Sequence, residues 1–196
     1  MIDPALALID FSSIAAGLEA ADAMAKRASI DVIRAGTVHP GRYLVLVGGP
    51  VGDVEESLAA GRTVGGGAVL DWVFLPAVHP DVVAAIGGGR LPQPGDALGV
   101  IETTTVAGVI RAADAGVKGA DVRLVEVRLA DGLGGKGVVL YSGLVADVET
   151  AVEISVAALE RPALLVRSVV IPRLHPSVWE NVSDATRFSS RVLEKL

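Results

Sequence analysis

The 196-residue chain has no cysteine. That excludes disulfides, a thiol nucleophile, Cys-ligated zinc and iron–sulfur clusters held by Cys. Aromatic residues make up only 4% of the chain, so its 51% hydrophobic content and mean hydropathy of +0.54 rest on Ala, Val, Leu and Ile. A long apolar run is also missing. The best candidate, AVLDWVFLPAVHPDVVAAI at 68–86, is broken by Asp71, His79, Asp81 and two prolines. A spanning helix needs ~20 mostly apolar residues, so no membrane partner is expected. The opening MIDPALALID carries no basic region and no small-residue cleavage site, so no signal peptide is expected either. Positive charge is scarce: 17 basic against 23 acidic residues give a net charge of −6 and a pI of about 5.0. With no basic stripe, nucleic acid is not an expected partner. These absences suit a cytoplasmic protein that buries its apolar surplus against other chains.

What is present is a duplication. ALALIDFSSIAAGLEAADAMAKRA at 5–28 aligns without a gap to ALGVIETTTVAGVIRAADAGVKGA at 97–120, with ten of the 24 positions identical. GPVGDVEESL at 49–58 matches GLVADVETAV at 143–152, and FLPAVHPDV at 74–82 matches VIPRLHPSV at 170–178. The offset grows from 92 to 94 to 96, so the second copy has two small insertions. GGGRLPQPGD at 87–96 reads as an exposed linker. The domains are therefore 1–92 and 93–182, followed by a tail, 183–196, whose Val192, Leu193 and Leu196 suggest a short docking helix.

Each copy spells the same elements. A strand at Ala5–Ile9 leads to Ser12-Ser13, which suit a helix N-cap, and to a helix with Ile14, Leu18, Ala21 and Ala25 at helical spacing. The second copy repeats this with Val106, Ile110, Ala113 and Val117. Strands are predicted near Ile30–Ala35 and Tyr43–Val47, a helix near Gly52–Gly61, and a strand at Val69–Leu75. His79-Pro80 and His175-Pro176 each open a last short helix. The order β-α-β-β-α-β predicts an α+β fold, the ferredoxin-like split βαβ, occurring twice.

ALGVIET (97–103), AADAGVKGA (112–120) and VIPRLHPSV (170–178) resemble the signature of the bacterial microcompartment shell proteins. Both repeats share it, over about 5–182, and so the chain resembles the tandem subclass with two BMC domains. That resemblance implies a homotrimer mimicking a hexamer, a structural tile that joins other shell proteins edge to edge around encapsulated enzymes. The segment TVHPGRYLVLVGG (37–49) is most similar to tandem shell proteins of the propanediol-utilisation type. Their loop carries a cysteine before Pro-Gly-Lys that holds an iron–sulfur cluster on the three-fold axis. Here His39 takes the cysteine's place and Arg42 the lysine's, so no cluster is expected.

The resemblance places Val38, His39, Pro40, Gly41 and Arg42 at a central pore. They would alternate there with the glycine-rich loop Gly132, Leu133, Gly134, Gly135 and Lys136 of the second copy. His39 then has three readings. First comes a pore-lining group whose imidazole changes charge near neutral pH. Next comes a turn residue that touches only water, and third a ligand of one metal shared by three chains. GLGGKG (132–137) is not a phosphate-binding P-loop, because Gly137 follows Lys136 where Ser or Thr must bind magnesium. Its backbone amides suit small anions or polar metabolites, and a plain hairpin connection would also explain its glycines.

Lys26 and Lys118, at equivalent helix ends, and Arg173 correspond in the family to residues along the tile edge. The repeated acids Asp22/Asp114 and Asp53/Asp147 read as structural, as do His79 and His175, with rings bonded to backbone near a helix start. No nucleophile with a paired base and no complete cofactor motif occurs, so the expectation is a non-enzymatic tile without a cofactor. Two alternatives remain: a metal or redox conduit through His39, and a ferredoxin-like sensor of small anions.

Overall fold

In a computed structural model the described residues are 5–90, 93–184 and 186–187. The expected docking residues Val192, Leu193 and Leu196 lie outside them. The first copy comprises β1 (Ala5–Phe11), α1 (Ile14–Arg27), β2 (Val32–Val38), β3 (Arg42–Gly49), α2 (Val51–Gly65), β4 (Val69–Leu75) and α3 (Pro80–Ile86). The second comprises β5 (Ala97–Thr103), α4 (Val106–Gly119), β6 (Arg123–Leu129), β7 (Gly137–Gly143), α5 (Val145–Ala157), β8 (Leu165–Pro172) and α6 (Pro176–Asp184).

Each copy forms its own four-stranded antiparallel sheet, ordered β2-β3-β1-β4 and β6-β7-β5-β8. This is the expected ferredoxin-like order. The elements run longer than the sequence predicted, notably α2, which continues past Gly61 to Gly65. Gly61 stops nothing there, because it is a packing residue. A Cβ on it would lie 2.4 Å from Met24 Sδ and 2.8 Å from Ile9 Cδ1, so the missing side chain is what lets α2 sit on α1 and β1.

Helix starts follow local chemistry. Ser13 caps α1 by accepting the Ala16 amide, and Thr105 caps α4 by accepting that of Gly108. His79 Nδ1 accepts the Asp81 amide at 3.2 Å, and His175 Nδ1 accepts that of Ser177 at 3.3 Å. The repeated His-Pro pair is thus a helix cap, with Pro at the first helical position where it gives up no bond.

The copies are not independent beads. One apolar core runs through both, joining Leu6, Leu8, Val73 and Leu75 to Ile101, Val106, Ile110 and Val127. It is built where α4 packs on β4 and α3 packs on β6. Each contact thus pairs an element of one copy with an element of the other.

Replacing Gly61 by Val should overpack the α1–α2 contact and cost ~1–3 kcal/mol of stability in urea unfolding. An unchanged midpoint would show that the helices have room to separate.

Candidate functional site

The two loops expected at a pore meet in one chain. The β2–β3 connection is a three-residue turn, His39-Pro40-Gly41, closed by the Gly41 amide donating to Val38 C=O at 3.0 Å, with a cis His39–Pro40 bond. Gly41 has φ 92°, a conformation that an L side chain rarely adopts. In the β6–β7 connection five residues, 131–135, lie between Ala130 and Lys136 where the first copy has three between Val38 and Arg42, and this accounts for the first insertion of the second copy. Ala130 N–H donates to Lys136 C=O at its base, and Gly132, Gly134 and Gly135 all take positive φ. His39, Pro40, Gly41, Gly132, Gly134 and Lys136 are exposed, Val38 and Leu133 half-buried, and Gly135 buried. The backbone amide of His39 reaches Asp131 Oδ1 at 3.4 Å, and the two loops share a cavity lined by Thr37, Val38, His39, Gly41 and Asp131.

Arg42 behaves differently from its neighbours. Its guanidinium turns back beneath the loops, donating to Asp10 Oδ2 and to the Gly135 carbonyl, both at 3.1 Å. It is a brace between β1 of the first copy and the glycine-rich loop of the second. Lys136 repeats the motif with Glu102 at 2.6 Å, the residue equivalent to Asp10. Sequence reasoning placed both cations among pore-facing residues and overlooked their acids, although Asp10/Glu102 and Arg42/Lys136 recur at matched positions.

Asp10 is fully buried and faces Asp71 across the β1–β4 register. Asp71 Oδ2 in turn accepts the hydroxyl of Thr105, the cap of α4, so both carboxylates gather at the start of that helix. Burial pushes the Asp10 carboxyl up to about 6, and the nearby Asp71 adds to the rise. Arg42 and the Val106 amide oppose it.

The two lysines expected at a tile edge are unequal. Lys26 lies exposed and pairs with Asp22 at 2.6 Å. Lys118 makes the same pair with Asp114, but it also donates to the Ala77 carbonyl of the first copy. Asp114 further accepts the His79 amide at 2.8 Å. Asp114 and Lys118 therefore stitch the seam between copies, whereas Asp22 and Lys26 stand free of any such seam within the chain. Arg173 is exposed in a left-handed backbone conformation, φ 52°. Among the described residues, no group of three or more His, Asp or Glu side chains that could hold a metal is gathered within one chain. Likewise, no helix among them is long and apolar enough to cross a membrane.

The burial of Asp10 makes stability depend on pH. Its folded pKa exceeds the unfolded value, so the folded state holds this proton more tightly. Its contribution is most favourable below about pH 4 and declines as pH rises towards about 6. Against Asp10→Asn, the wild type should therefore gain about 1 kcal/mol on going from pH 7 to pH 5 in urea unfolding. A pH-independent difference would contradict a carboxyl whose burial outweighs its pairing with Arg42.

Comparison with known proteins agrees with the duplicated fold. The BMC domain family matches residues 5–78 and 97–174, one match per copy. The chain is 39% identical over 180 residues to the bacterial microcompartment shell protein PduT of Citrobacter freundii, covering 92% of this chain and 98% of the relative. A crystal structure of a microcompartment protein from Desulfitobacterium hafniense DCB superposes with TM-score 0.79 at 42% identity, covering 91% of this chain and 99% of that one. A fused permuted hexameric shell protein of the RMM microcompartment shares the fold, with TM-score 0.58 at 24% identity over 79% and 83% of the two chains. The chain belongs to the BMC-domain family, among the microcompartment shell proteins that carry two such domains in tandem.

Proposed function

We propose that this chain is a structural tile of a bacterial microcompartment shell, three copies closing into a six-domain disc with the paired loops around a central pore. A shell role without catalysis follows from the family. The disc rests on one observation: the contact between the two domains has an unused counterpart on each end of the chain.

In α4, Val106, Ala107, Ile110 and Asp114 are buried against the first copy. The equivalent positions of α1 (Ile14, Ala15, Leu18 and Asp22) are all exposed, Leu18 by 54% against 0% for Ile110. The receiving strand shows the reverse asymmetry. Asp71, Val73 and Leu75 of β4 are buried under α4, while Arg167 and Ile171 of β8 are exposed and Val169 is half-buried. The third contact behaves alike: Val82 of α3 is buried on β6, and its counterpart Val178 of α6 is 46% exposed. An apolar groove bounded by Ala35, Val38, Leu44 and Leu46 lies open beside β2, the strand equivalent to β6.

These surfaces differ but complement one another, so repetition of the seam is head-to-tail and must close into a ring or run on as a fibre. Closure after three chains buries every such face and accounts for the high hydropathy without a membrane. Burial of apolar area at ~25 cal/mol per Å² is the drive. At the chain–chain seam, Asp22 and Lys26 would take the parts that Asp114 and Lys118 play within the chain.

In the disc, His39 and the exposed glycine-rich loops would ring the axis three times each and offer amides and Lys136 to small polar or anionic metabolites. Arg42 would hold the loops from behind. Arg173 and the exposed stem of Lys26 would remain for contacts with neighbouring shell proteins. Barrier and passage require no cofactor.

Leu18→Glu should leave the chain folded yet prevent trimer formation, as read by native mass spectrometry and by loss of sheets or tubes in electron microscopy. A trimer that survives this substitution would overturn the ring. Lys26→Ala should abolish extended arrays while weakening the trimer without dissolving it, since Lys26 takes the part of Lys118 at the chain–chain seam, and unaltered arrays would remove Lys26 from the edge. Because Lys118 is tied into the internal seam, its substitution should lower chain stability as well.

A further inference from the structure

We propose that the inner seam of each chain carries a binding site for a small organic anion, separate from the loop tips. A cavity of about 330 Å³ opens between the end of α3, the start of the linker and β6. Arg90, Arg128 and Arg187 line it together with Glu126 and Asp131, in a chain whose net charge is −6. Three guanidinium groups in one cavity of an acidic protein call for an anion.

Among the described residues the acids satisfy them only in part, although Arg90 also donates to the Val182 carbonyl. Glu126 is committed to Arg90 by an ion pair, and it also accepts the Thr186 hydroxyl at 2.8 Å. The Asp131 carboxylate points to the His39 amide of the loop pair. Among the described residues Arg128 has neutral acceptors only: the Thr186 hydroxyl at 3.1 Å and the Asp131 carbonyl at 3.5 Å. The Nε atoms of both Arg90 and Arg128 are buried without an acceptor among the described residues. Their charge is therefore incompletely matched among the described residues, and the field falls on whatever enters the cavity. Arg187 is exposed at the mouth, free to swing onto a ligand.

The remaining wall is apolar, from Ala85, Ile86, Val127 and Leu129. A cavity of this size, with convergent cations on one side and hydrocarbon on the other, fits a carboxylate or phosphate joined to a short alkyl chain. Arg128 also contacts Asp131, so an occupied site would adjoin the loops. The site lies within one chain and stands whether or not the disc forms.

The test is titration of the purified full-length protein with butyl phosphate, butyrate and inorganic phosphate at millimolar concentrations, by calorimetry and ligand-observed NMR. Saturable binding of butyl phosphate or butyrate is expected, with inorganic phosphate several-fold weaker. Arg128→Gln should weaken binding at least ~10-fold, while Lys136→Gln on the loop leaves it unchanged. Arg187→Gln, at an exposed position that folding tolerates, should weaken binding too and serves if Arg128→Gln fails to fold. Absence of saturable binding for all three probes would overturn the site. So would an equal loss in Lys136→Gln, which would place the anion at the loops. Inorganic phosphate binding as tightly as butyl phosphate would overturn the alkyl subsite.

Discussion

Everything in this molecule leans on the packing of α4 against β4. Val106 and Ile110 enter the first copy's sheet beside Val73 and Leu75, and the polar groups at the margin are matched rather than merely excluded. Thr105 caps its own helix and also donates to Asp71, while Asp114 takes the His79 amide and the Lys118 ammonium. Apolar burial supplies the attraction, and these few directional bonds fix how the second domain is turned relative to the first. The relative turn sets where the loops meet and which faces stay open.

The duplication explains both economy and imbalance. Two equivalent helices carry nearly the same apolar spacing, yet one is buried on both sides and the other on one. A lone α1 with exposed Ile14 and Leu18 would be a poor surface for a monomer, and it makes sense as half of a contact already seen, complete, elsewhere in the same chain. The same logic reads Asp22–Lys26 as an unengaged copy of Asp114–Lys118.

The fold was largely legible in the sequence because its signals are local and occur twice. Helical spacing, the Ser13 and Thr105 caps and the strand at Val69–Leu75 all rest on neighbours within a few residues. The α2 terminus was misplaced because Gly61 reads as a helix stop, whereas here it admits Met24 and Ile9. The site was legible in its positions but not its wiring. His39, the Pro-Gly turn and the glycine-rich loop stood out by composition. Asp10 sits 32 residues before Arg42 in an apolar strand, where no periodicity marks a carboxylate as the partner of a loop cation. The arginine cavity was invisible for the same reason: Arg90, Arg128 and Arg187 come from a linker, a strand and a chain end.

The unequal connections carry a further consequence. A three-residue turn and a five-residue loop now occupy positions that began as the same hairpin tip, one free to keep histidine and the other to collect glycines. A ring of single domains would have to alter all of its tips together. Fusion lets each of the two tips mutate alone, so the turn at 39–41 and the loop at 131–135 can change independently of one another.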